Sequence, residues 1–128
     1  MSRNKQVELS ESKKKWNKLW DMYGSGELEK YNYTAFVVCD YESGINSEGH
    51  SGWFFNTENT EGPDAMKKIL SALKEALPEH IYDNLNKAFK SYDTENEENV
   101  CEETDEYFYE YEQEIIDYLQ GVADSLEL

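Results

Sequence analysis

Carboxylates crowd the last part of this chain. Between Ser91 and Leu128 stand fourteen Asp and Glu and not one Lys or Arg, whereas residues 1–90 hold the other fourteen acids and all twelve bases. Fourteen of the sixteen net negative charges therefore lie in the final 38 residues. Clustered carboxylates have three chemical uses: holding a cation, transferring protons, or presenting negative charge to a basic partner.

Calcium is poorly served. Asp93, Glu95 and Glu97 alternate as ligands do, but a calcium-binding loop starting at Asp93 needs glycine where Glu98 stands and glutamate where Thr104 stands. For transition metals, His50, His80, Cys39 and Cys101 show no ligand spacing. His50 reads as a turn or core residue and His80 as a helix-surface residue. Proton transfer needs one acid set apart from the others, and nothing in the sequence singles one out. There is no phosphate-cradling glycine loop, nucleophile elbow or closely spaced Cys-His pair. The expectation is a protein that is not an enzyme and has no catalytic residues, metal or cofactor. A carboxylate-based enzyme or metal binder is the alternative that a cleft of converging acids would reveal.

The third use fits the pattern best. With Phe108 as reference and 100° per residue, Tyr111, Ile115, Leu119 and Val122 fall within about 60° of it, while Glu106, Glu110, Glu114 and Asp117 fall at about 160–240°, directly behind. This spacing predicts an amphipathic helix from about Asp105 to about Gln120, with Thr104 as its N-cap. Like charges at Glu106/Glu110, Glu110/Glu114 and Glu114/Asp117 cost about 1 kcal/mol together. Stability alone does not select them. A face that serves only solubility is the simplest alternative.

As a binding surface, Glu106, Glu110, Glu114 and Asp117 form a rigid row, and Glu97, Glu98, Glu102 and Glu103 a mobile apron in a preceding acidic loop. Six carboxylates from Asp105 to Asp117 span about 18 Å of helix axis, or about one per 3 Å. Duplex DNA carries a phosphate about every 3.4 Å along each strand. With a screening length of about 8 Å, such charges merge into one field. Asp105 and Glu112 lie at the apolar edge of the helix, where a structural role is expected.

The rest of the chain must position this surface. A chain of 128 residues with 14% aromatic content supports one core. The expected layout is a loose terminus at 1–11 and a single helical domain at 12–128, with its acidic region at 93–117. A helix starts near Ser12, carries Trp16, Leu19, Trp20 and Tyr23 on one face and Lys13, Lys14, Lys15 and Lys18 on another, and stops at a flexible Gly24-Ser25-Gly26 joint. Those lysines have the acidic C-terminal region as their internal mate. Tyr33–Val38 suits a buried strand or a helical face, and periodicity does not decide. Ser43–Gly49 reads as a turn, Trp53-Phe54-Phe55 as an aromatic knot lodged in the core, and Thr57–Gly62 as a loop. Pro63 opens a helix bearing Ile69, Leu70, Leu73 and Leu77, and Pro78 opens another bearing Ile81, Leu85, Ala88 and Phe89. The fold class is mainly α, a single-domain bundle of about five to six helices with little or no sheet.

Two stretches carry a resemblance. Gly49-His50-Ser51-Gly52-Trp53-Phe54-Phe55-Asn56 is similar to the asparagine-glycine-glycine, aromatic pair and asparagine signature of a bacterial family of uncharacterised domains that includes an acidic DNA-mimic protein. Ser47 and Glu48 replace the expected asparagine and first glycine, and Gly52 replaces a usual glutamine. Asp105, Phe108, Tyr109 and Glu112 resemble the family's later acid-aromatic-aromatic-acid motif, and the likeness runs from about Thr34 to Gln120. It implies a mostly helical domain and, from the DNA-mimic member, a homodimer that occupies the DNA-binding surface of a helix-turn-helix repressor. No binding residue carries over, because the acidic surface lies outside the matched motif.

The expected partner is thus a basic DNA-binding protein, such as a helix-turn-helix repressor, or a basic nuclease blocked by an immunity or antitoxin protein. A sequence pI of about 4.3 disfavours direct contact with nucleic acid or an anionic membrane. With no membrane-spanning run, no secretory signal at the start, and Cys39 and Cys101 reading as free thiols, the expected location is the cytoplasm.

Overall fold

The computed structural model describes residues 9–128, and among these it contains six helices and no strand. Most of the expected loose terminus, 1–11, lies outside the described residues. Ser10 is already an N-cap, its Oγ accepting a hydrogen bond from the Lys13 amide at 3.1 Å. Helix α1 (Glu11–Ser25) therefore absorbs Gly24 and Ser25, and the chain turns at Gly26 alone. Its φ of 85° lies in the left-handed region that favours glycine. A short α2 (Glu27–Tyr31) follows, and Asn32 caps α3 (Tyr33–Glu61) by accepting from the Ala35 amide at 3.1 Å.

Tyr33–Val38 is helical. Ala35, Val37, Val38, Tyr41 and Ile45 all point into the core, so burial of a helical face overrides the β-branched content. The expected turn at Ser43–Gly49 and loop at Thr57–Gly62 are also helical, apart from single breaks at Gly49 and Gly62. The reason is packing. Gly44 sits under the Trp53 ring, where a Cβ would collide with Cδ1, and the contact offsets glycine's poor helix propensity. Gly49 (φ 72°, ψ 176°) divides α3 into segments 33–48 and 50–61 that fold against one another.

Helices α4 (Pro63–Ala76) and α5 (Glu79–Ser91) follow the sequence expectation, each introduced by its proline and burying the apolar residues of its face. The aromatic knot is only partly internal: Trp53 and Phe54 are buried, while Phe55 is exposed. Tyr41 lies at the centre of the core, edge-on to Trp53 and Phe108, with ring centroids 5.1 and 5.5 Å away.

The last helix, α6 (Glu97–Asp124), begins two turns before Asp105. Thr104 is not its N-cap. It is fully buried in mid-helix, its hydroxyl donating to the Cys101 carbonyl at 3.2 Å. The start is set instead by the turn ahead of it, where Thr94 Oγ1 donates to the Ser91 carbonyl and the Asp93 amide to Glu97 Oε1. Glu97 and Glu98 then occupy the first turn, where the helix dipole favours acids. Helix α6 packs against α1, α3 and α5, leaving one strip of its surface to solvent. No helix among the described residues is long and apolar enough to cross a membrane.

Candidate functional site

Three sets of contacts fix how α6 is rolled. At its C-terminal end, Lys15 Nζ donates to the Asp124 carbonyl at 3.1 Å, Lys18 Nζ donates to the Glu127 carbonyl, and Ser12 Oγ donates to Asp124 Oδ1. Two lysines of α1 thus meet carbonyls at the negative end of the helix dipole rather than the glutamate row. Along one flank, α5 supplies Asn84, which donates to the Thr104 carbonyl, Lys87, paired with Glu103, and His80, whose ring nitrogens lie 2.8 Å from Tyr107 Oη and 3.0 Å from Glu114 Oε1.

The other flank meets the break in α3. Asp105 Oδ1 accepts from the His50 amide at 2.9 Å and lies 2.6 Å from His50 Nδ1. The far side of that ring, Nε2, is 2.7 Å from Tyr41 Oη. Burial first, and then the Asp105 charge, hold the Tyr41 phenol well above its usual range, so it keeps its proton and donates it to Nε2. Nδ1 then carries the proton that goes to Asp105, which fixes the tautomer of a wholly buried histidine. Tyr109 Oη donates to the Ile45 carbonyl at 3.2 Å, and Asn46 Nδ2 bridges Glu42 and Glu112 at 2.6 and 2.7 Å. Burial and the hydrogen bond to Glu112 push the Glu42 carboxyl up to about 8. The two stretches that resembled family motifs, 49–56 and 105–112, are therefore two sides of one joint. Any Cβ at Gly49 would sit 2.6 Å from Asp105 Oδ2.

With α6 rolled this way, the eight expected binding acids separate into three groups. Glu98, Glu102, Glu106, Glu110 and Asp117 face outward, from about 80° to about 200° around the helix from Phe108. None has a basic partner among the described residues, and Asp117 accepts from Gln113 on the same helix. Glu103 and Glu114 lie on the α5 flank and are engaged by Lys87 and His80. Glu97 is turned toward α3 and accepts from Ser51 Oγ.

Two expectations change as a result. Glu97, Glu98, Glu102 and Glu103 are not a mobile apron, because all four are held in the first two turns of α6. The rigid row runs farther and is sparser than the sequence implied. Asp105, Glu112 and Glu114 are occupied elsewhere, so five outward carboxylates cover nineteen residue steps, about one per 6 Å of axis. That is about half the phosphate density of one DNA strand.

Sequence reasoning missed Glu42 and Asn46, whose shared partner Glu112 is distant in the chain. The signal within reach was the acid at position 112, whose motif neighbours all turned out to pack against α3. Among the described residues, no group of three or more His, Cys, Asp or Glu is placed to hold a metal ion. Residues 26–127 match the sequence profile of a family described as DMP19-like protein, a span that contains the 34–120 stretch of resemblance. No curated protein and no solved structure matches the chain.

Proposed function

Because this chain belongs to the DMP19-like protein family, we propose that it is a protein-binding module whose α6 ridge occupies the basic surface of a DNA-binding regulator as a DNA mimic. The observation that supports this most is the run Glu98, Glu102, Glu106, Glu110 and Asp117, exposed on one rigid helix and unpaired with any base among the described residues. Repulsion within the run lowers helix stability, so folding is served by fewer acids there, and binding a cationic surface relieves that repulsion. A ridge at half the phosphate density of one strand suits a partner whose Lys and Arg contact alternate phosphates of one backbone. Its axial length from Glu98 to Asp117, about 28 Å, is about four-fifths of one helical turn of duplex.

The test is binding to a basic DNA-binding regulator isolated on the immobilised protein at low salt. Affinity should fall steeply between 50 and 200 mM salt, by up to about 10²–10³-fold if each of the five ridge carboxylates replaces one phosphate contact. Duplex DNA should compete for the same regulator. Changing Glu102, Glu106 and Glu110 together to Gln should weaken binding and leave the helical circular dichroism unaltered. Equal affinity of the triple variant and the parent removes α6 as the contact surface.

A further inference from the structure

With no lining residue drawn from α6, an open cleft of about 470 Å³ lies between α1 and the two segments of α3. Asp40 is its focus. Each of its oxygens accepts one neutral donor, Tyr23 Oη at 2.7 Å and Trp53 Nε1 at 3.1 Å. Glu48 and Glu61 line the same cleft, and none of the three carboxylates has a basic partner among the described residues. Burial, followed by the hydrogen bond and charge of Asp40, holds the Tyr23 phenol above its ordinary value, as uncompensated negative charge does.

Clustered acids alone do not make a site, and a second observation points to a ligand. Thr57 lines the cleft, is only 7% exposed, and its hydroxyl has no hydrogen-bond partner among the described residues. A buried hydroxyl without a partner is costly unless a ligand or water completes it. A positively charged group answers the three carboxylates, and one that carries N–H groups can in addition donate to the hydroxyl.

We propose that this cleft binds a compact organic cation with N–H donors, a guanidinium or primary alkylammonium, between Asp40, Glu48, Glu61 and Thr57. The same chemistry is presented by a free amine and by an Arg or Lys side chain. The site involves other residues than the α6 ridge and stands or falls separately from it.

Agmatine titrated into the full-length ¹⁵N-labelled protein provides the test, read at the Trp53 indole N–H, with tetramethylammonium as a cation of equal charge per head that lacks N–H groups. Agmatine should shift that signal saturably and tetramethylammonium should not. Thr57→Val should raise the agmatine midpoint about tenfold, as expected for loss of one hydrogen bond near a charge. Glu48→Gln, at an exposed position, should raise it as well, so the result does not depend on Thr57→Val folding normally. Equal, non-saturating responses to both cations, or unchanged midpoints in both variants, would overturn the assignment to general attraction by an acidic protein. A peptide carrying a single Arg, titrated the same way, separates the sources: tighter binding than agmatine assigns the cleft to a protein side chain, weaker binding to a free amine.

Discussion

Asp105 and Glu106 are neighbours in the chain, alike in chemistry, and opposite in role. Asp105 faces the break in α3, where it takes both the amide and the ring proton of His50. Glu106 faces water, with Glu102 and Glu110 one turn away on either side and no base in reach. A carboxylate given directed donors in a buried joint contributes to folding; one surrounded by its own kind subtracts from it. One residue step, about 100° of helix, separates the two. The roll of α6 is therefore the quantity on which the surface depends, and the α3 joint sets that roll.

The sharpest way to break this contrast is at Gly49. Alanine there meets both a left-handed backbone and the Asp105 carboxylate at 2.6 Å, so Gly49→Ala should lower the unfolding free energy by about 3–5 kcal/mol. Urea denaturation measures it, and a loss below 1 kcal/mol would mean the joint is not as tight as described. Next in size is the neighbour pair itself. Asp105→Ala leaves two His50 donors without an acceptor and should cost about 2–3 kcal/mol, whereas Glu106→Ala relieves two repulsions and should change stability by less than about 0.5 kcal/mol, with a gain favoured. Similar losses in the two variants would erase the distinction between inward and outward acids.

The smallest effect is a pH dependence. Glu42, held up to about 8 beside Glu112, keeps its proton in the fold at pH values where the unfolded chain has lost it. Folded protein then binds more protons than unfolded, so this pair makes stability fall as pH rises from the ordinary glutamate range to about 8, and level off above it. Because the pair is half open to water, which screens it, the loss amounts to about 1–2 kcal/mol. Glu42→Gln should remove that slope and be the more stable protein at pH 9, while at pH 4 the two should match. Denaturation at the two pH values decides the matter.

Helical periodicity made most of the bundle legible. The faces of α1, α4, α5 and the later half of α6 were readable because their apolar residues recur with few interruptions. Where the reading failed, glycine or a polar run concealed a helix. Ser43–Gly49 looks like a turn, yet Ile45 is wholly buried and Gly44 is small because Trp53 lies over it. Residues 97–104 look like an acidic loop because only Cys101 and Thr104 are buried there, and Thr104 appears as a cap for the want of visible tertiary partners such as Asn84. For the candidate surface, residue type and spacing identified which acids lie behind the apolar stripe. They did not reveal that Lys87 and His80 occupy Glu103 and Glu114, since those pairings span 16 and 34 positions.

The lysines of α1 at the far end of α6 have an effect beyond holding that end. Lys15 and Lys18 stand there among Glu11, Asp124 and Glu127, so the two ammonium groups offset nearby acids and the anionic field weakens toward that end of the strip. A visiting cationic surface is therefore drawn to the stretch between Glu98 and Asp117 rather than to the C-terminal tip of α6.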